Sequence, residues 1–127
     1  MKACVTAVAV LLMLCAPSVA DPAVKVVSLD AQGGSYLRLL KGPPETRSFR
    51  SGLVILKPGE AVGEHTTGRN EEMLIPLEGQ GELRVEGLAP IHIAPGLVTY
   101  TPPQTRHNVV NTGATPLRYI YVTAKAD

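Results

Sequence analysis

The apolar runs after Asp21 are short, most of them stopped at or close to a glycine, a proline or an asparagine, and none continues at helical spacing long enough to build an amphipathic helix. Short runs rich in Val, Ile, Leu and Tyr between such residues are strands between turns, so the chain reads as all-β. The expected strands are Val24–Leu29, Tyr36–Leu40, Gly52–Lys57, Met73–Leu77, Gly81–Val85, Pro90–Ile93, Leu97–Thr101, Asn108–Asn111 and Leu117–Thr123. Lys57-Pro58-Gly59-Glu60 and Ala94-Pro95-Gly96 place a fixed φ before a positive one, as a tight turn requires. Glu78-Gly79-Gln80-Gly81 reads as a hairpin connection, and the chain turns again between Asn111 and Pro116. Short strands and turns at this spacing point to a sandwich or small barrel. Pro76 removes a ladder donor inside Met73–Leu77, which predicts a strand edge or a local distortion there.

The first twenty residues read as separate from that domain. Lys2 supplies a positive start, Ala3 to Leu14 form an apolar run, and Ser18-Val19-Ala20 places small residues before Asp21. This predicts a cleaved secretory signal over 1–20, an arm or strand over 21–35 and a barrel over 36–127, with a secreted or periplasmic destination. The apolar run falls short of the roughly 20 residues that cross a bilayer, so no membrane span is expected after cleavage. Cys4 and Cys15 are the only cysteines and would both be lost. A small exported domain without a disulfide must rely on its core, a metal or a second copy, which makes a homodimer an expectation. The chain carries twelve Lys+Arg and eleven Asp+Glu, so removing Lys2 leaves eleven of each and a net charge of zero. With no basic run either, nucleic-acid and membrane-surface partners find no electrostatic support.

Three donors of metal-ligand type sit in two frames, Gly59-x5-His65-x-Thr67-x4-Glu72-x6-Gly79 and Gly96-x5-Pro102-x4-His107-x3-Asn111. Two imidazoles and one carboxylate, with positions left open for water or substrate, suit a divalent ion such as Fe, Mn, Zn, Ni or Cu(II). They meet only if the fold returns one strand beside another. No thiolate remains in the mature chain, and Met73 should face away from Glu72, which argues against Cu(I). Adjacent strand residues face opposite sides, so only one of Glu71 and Glu72 points inward, and the spacing to Gly79 selects Glu72.

These segments, GEAVGEHTTGRNEEMLIPLEG and GLVTYTPPQTRHNVVN, resemble the two motifs of the cupin superfamily, G-x5-H-x-H-x3–4-E-x6-G and G-x5-P-x-G-x2-H-x3-N. The similarity covers about residues 36 to 123. It implies an antiparallel double-stranded β-helix, a jelly-roll barrel with the site inside, and His65, Glu72 and His107 as metal ligands. Thr67 stands where the family usually has its second histidine, and its hydroxyl is a candidate to hold a metal-bound water. Gln104 stands where the second motif usually has glycine, either bringing an amide to the mouth of the site or serving only the loop. Tyr100 either lines the pocket as a hydrogen-bond donor or sits in the core with its hydroxyl at a barrel end. Glu64, Glu71, Arg69 and Arg106 read as solvated charges, His92 as a surface histidine, and Asn111 as a tie for the following turn.

Two functions fit. In one, a metal at the three donors polarises a small-molecule substrate or activates water or dioxygen. In the other, the site has decayed and the barrel is a non-catalytic binder of a small ligand or a protein. No nucleophilic Ser or Cys arrangement and no phosphate-binding Gly loop is present, so catalysis without a metal lacks a basis.

Overall fold

A computed structural model describes residues 24–126; the expected signal segment, with Cys4 and Cys15, lies outside them. The described residues form nine strands and no helix: β1 Tyr36–Lys41, β2 Arg50–Leu56, β3 His65–Thr66, β4 Asn70–Glu78, β5 Gly81–Val85, β6 Ile91–Ile93, β7 Thr99–Thr101, β8 Arg106–Val110 and β9 Leu117–Lys125. One sheet has the order β1-β2-β9-β4-β7 and the other β3-β8-β5-β6, and every pairing is antiparallel. The chain crosses between the sheets repeatedly, which is the double-stranded β-helix expected from the motifs.

Alternation along each strand places one face between the sheets. Leu56, Leu74, Leu83, Ile93, Val109, Leu117 and Tyr119 form the core, drawn from both sheets. Each such side chain contributes about 1.5–3 kcal/mol when fully buried. Asn111 is 1% exposed and holds the turn before β9. Its amide donates to the carbonyls of Leu56 and Thr115, and its side-chain oxygen accepts from the Gly113 N–H.

Two expectations meet the structure differently. Pro76 lies beside a register shift between Pro76 and Glu78 in the β4–β9 ladder, the distortion its missing N–H predicts. Val24–Leu29 is not a strand: Val24 and Val26 are almost fully exposed, and no ladder pairs with the segment. It is held by side chains instead, with Lys25 donating to Glu45 and Arg118 donating to the Leu29 carbonyl. Edge strands such as β1 are present, so strand-like composition alone does not bring this segment into a ladder.

Candidate metal centre

His65 and His107 are direct cross-strand partners in the β3–β8 ladder, and Glu72 reaches them from β4 in the opposite sheet. The imidazole centroids lie 4.2 Å apart with the rings tilted by 58°. One ligand atom from each of the three residues lies within 4.8 Å of the others. Metal–ligand bonds of about 2.0–2.2 Å require donors roughly 3–4 Å apart, so small side-chain adjustments suffice.

The surroundings prepare each imidazole for that role. Nδ1–H of His65 donates to the Gly63 carbonyl at 2.8 Å, and Nδ1–H of His107 donates to the Thr105 carbonyl at 3.1 Å. Both rings are thereby fixed with Nε2 as the remaining ligand atom, the usual arrangement behind metal-bound histidines. Nε2 of His107 meets Oε1 of Glu72 at 3.0 Å, where both side chains are nearly or wholly buried. That hydrogen bond to the carboxylate raises the His107 pKa above its ordinary value, against the desolvation that lowers it. A proton held on Nε2 by that bond would stand where a cation would bind, so the two compete for the pair. His65 is exposed while His107 is 2% exposed, so the cluster is closed on one side and open on the other.

The open side faces a cavity of about 740 Å³ between the sheets, lined by His65 and Glu72 together with Val54, Leu74, Tyr119 and Tyr121 among others. Gly52 lets two tyrosines lie flat against β2: a Cβ there would come within 2.7 Å of both the Tyr36 and Tyr121 rings. Those rings stack with centroids 6.4 Å apart, and their hydroxyls share a 2.8 Å hydrogen bond. Burial, first of all, pushes the Tyr119 and Tyr121 phenols well above their usual pKa, so both stay protonated.

Of the positions weighed as helpers from outside the ligand set, Thr67 and Tyr100 lie elsewhere than at the cluster, and Gln104 takes the loop role that is its other reading. Thr67 is 8% exposed and spends its hydroxyl on backbone, donating to the Pro102 carbonyl at 2.8 Å and accepting from the Thr105 N–H at 3.0 Å. Its own N–H donates to the Thr105 carbonyl, so it staples the loop after β3 to the turn before β8. Thr67→Val should therefore cost about 1–3 kcal/mol by leaving buried backbone groups unpaired, measured as a lower urea midpoint, while metal stoichiometry stays unchanged. Tyr100 is 64% exposed on the outer face, across from Met73, and donates to Glu71 at 3.1 Å. Alternation in β7 turns Thr101, the partner of Glu72, inward and thereby Tyr100 outward. Gln104 is exposed with φ 57°, and its N–H donates to the Gly68 carbonyl, a turn position with no part in the cluster.

The solvated readings fare better. Arg106 pairs with Glu64 at 2.6 Å, both exposed, and His92 is exposed opposite Glu82 in the β5–β6 ladder. Sequence reasoning missed Tyr36, Tyr119 and Tyr121. The alternating Leu117, Tyr119 and Tyr121 in β9 was the signal that could have found the last two.

The family model described as a cupin domain matches residues 52–123. A polyketide synthase named CurC from Streptomyces cyaneus is 32% identical over 109 residues, covering 83% of this chain and 68% of that protein. Among solved structures, a cupin 2 conserved barrel domain protein from Salinispora arenicola CNS-205 is similar with a TM-score of 0.68 and 28% identity, over 82% of this chain and 91% of that one. An RmlC-like cupin family protein with a double-stranded β-helix fold from Methanocaldococcus jannaschii shares the fold at a TM-score of 0.64 and 18% identity, over 81% of this chain and 93% of that one. With the two motif frames folded onto neighbouring strands and the family match spanning most of the barrel, this chain belongs to the cupin domain family.

Proposed function

We propose that this chain is an exported metal-binding cupin in which His65, Glu72 and His107 hold a divalent ion, Fe, Mn, Zn, Ni or Cu(II), facing a small molecule in the cavity. The observation that supports it most is the convergence of three donors within 4.8 Å from three strands of two sheets. Their chemistry fits the group: two imidazoles with Nδ1 already committed and one carboxylate. Such an ion supplies Lewis acidity toward a ligand oxygen or activates bound water or dioxygen. The protein's part is to hold three donors, keep the far side of the site dry and leave the cavity side open. The relative named as a polyketide synthase supports a ligand whose carbon skeleton carries keto or hydroxyl oxygens.

A second reading, a binder that needs no metal, is favoured by Thr67, which replaces a usual ligand with a backbone staple. One experiment separates the two and tests export as well. The full-length gene is expressed, protein beginning at Asp21 is recovered from the exported fraction, and it is loaded with each metal in turn and desalted. Retention of about one equivalent of at least one metal is expected. Less than about a tenth of an equivalent for every metal rejects the metal centre, and a chain still beginning at Met1 rejects the signal.

A further inference from the structure

Among the polar groups on the cavity beside the three donors is a tyrosine hydroxyl with no protein partner. Tyr119 is 2% exposed, yet its hydroxyl makes no hydrogen bond to any described residue. It is not sealed in either, since among the described residues the only buried side-chain oxygens without a partner are those of Thr99 and Thr101, and Tyr119 lines the cavity. The other two tyrosines on that wall satisfy each other through the Tyr36–Tyr121 hydrogen bond. A phenol hydroxyl that opens onto a cavity and has no protein partner is free to donate to whatever occupies that cavity.

The rest of the lining narrows what that something is. Val54, Leu56, Leu74 and Val109 make apolar walls, and no lysine or arginine lines the space. The acidic groups that do line it are Glu60 and Glu72. In the metal-free protein, a carboxylate or phosphate entering there would lose its hydration with no lysine or arginine on the walls to replace it. The stacked pair of phenol rings offers a flat apolar face.

Building on the reading of this cavity as the ligand site, we propose that Tyr119 is a ligand-binding residue that donates its hydroxyl proton in a hydrogen bond to the carbonyl oxygen of an uncharged aromatic ketone. The rings of Tyr36 and Tyr121 form the wall against which the ligand lies, and Gly52 is the position that lets them do so.

The test uses three probes that share a phenyl ring. Acetophenone carries the carbonyl, benzoate is its near-isostere with a charge, and ethylbenzene has the shape without the oxygen. Each is titrated by amide NMR shifts into the mature chain, both stripped of metal and loaded with Zn(II), and into Tyr119→Phe. In the metal-free protein, acetophenone should produce saturable shifts at the cavity, and benzoate should bind at least about tenfold more weakly. Tyr119→Phe should weaken acetophenone by about three- to tenfold and leave ethylbenzene and zinc retention unchanged. The spectrum itself reports that the variant is folded, and deletion of an unpartnered hydroxyl leaves no protein group unpaired. Benzoate binding as tightly as acetophenone, an unchanged acetophenone affinity in Tyr119→Phe, or no saturable shift at the cavity overturns the proposal. Zinc retained without acetophenone binding overturns it while leaving the metal centre standing. Acetophenone bound in the cavity with no metal retained removes the metal centre and leaves this proposal intact.

Discussion

Gly79→Ala is expected to lower the melting temperature by about 10–30 °C, because the backbone at that point has room for a hydrogen and nothing larger. Gly79 has φ 75°, a left-handed conformation that costs a residue with a Cβ about 1–2 kcal/mol. A Cβ built there would lie 2.3 Å from the Pro116 carbonyl oxygen and 3.0 Å from the Leu117 Cα. Both obstacles are main-chain atoms. Leu117 opens β9, is 0% exposed and belongs to the core, so neither can move without displacing the central strand of the larger sheet. Forcing a methyl into such a site adds about 1–3 kcal/mol, for a total of about 2–5 kcal/mol. That is a large fraction of the roughly 5–15 kcal/mol that holds a domain together. Gly87 is the control: its φ is 79°, but nothing lies within 4 Å of its Cβ position. Gly87→Ala should show the conformational cost alone. Thermal melts followed by circular dichroism decide it, and equal losses at the two positions would refute the steric account.

Gly79 also shows how far the sequence could be read. Its place in the first motif frame was legible, and so was the need for a turn there, because glycine at a turn follows from local chemistry; the hairpin expected there is instead a crossing between sheets, since β4 pairs with β9 and β7 while β5 pairs with β6 and β8. That a neighbouring strand presses on it from the Pro116 side is a fact of tertiary packing that no local pattern carries. The same division runs through the strands. Alternation found the inward Glu72 and outward Met73, but β4 begins at Asn70 and β8 at Arg106, earlier than their apolar runs, since polar residues join a ladder wherever a partner strand continues. β3 was not foreseen at all: two residues, His65 and Thr66, become a strand through pairing with β8. Val24–Leu29 is the converse, a run with the right composition that joins no ladder. Within the site, the three donors were readable because their offsets from glycines are fixed. Thr67 was seen as a missing ligand, but its role as a staple depends on the Pro102 carbonyl and the Thr105 N–H lying beside it in space. Tyr119 was invisible because nothing in either frame marks it.

Glu72→Ala should reduce metal affinity about 100-fold or more, since it removes one of three donors, whereas Glu71→Ala should change it by no more than about twofold. The adjacent carboxylates differ only in which way the strand turns them: Glu72 meets His107 between the sheets, and Glu71 meets Tyr100 on the outer face. The proton on His107 adds a pH signature. Its folded pKa is raised above 6.5, chiefly by the hydrogen bond to Glu72, so in the metal-free protein the pair stabilises the fold below about pH 6.5 and loses that contribution as pH rises through the folded value. Metal must displace the same proton, so affinity should rise about tenfold per pH unit over that window and level off above it. Metal-free stability and metal affinity therefore run in opposite directions across one pH range. In Glu72→Ala the raising hydrogen bond is gone, and any residual pH dependence of binding should move to lower pH. Isothermal titration with Zn(II) from pH 6 to 8.5, paired with urea unfolding of the metal-free protein, measures both trends. Equal losses for Glu71→Ala and Glu72→Ala, or an affinity that is flat with pH in the wild type, would show that the ion is not held by these three side chains.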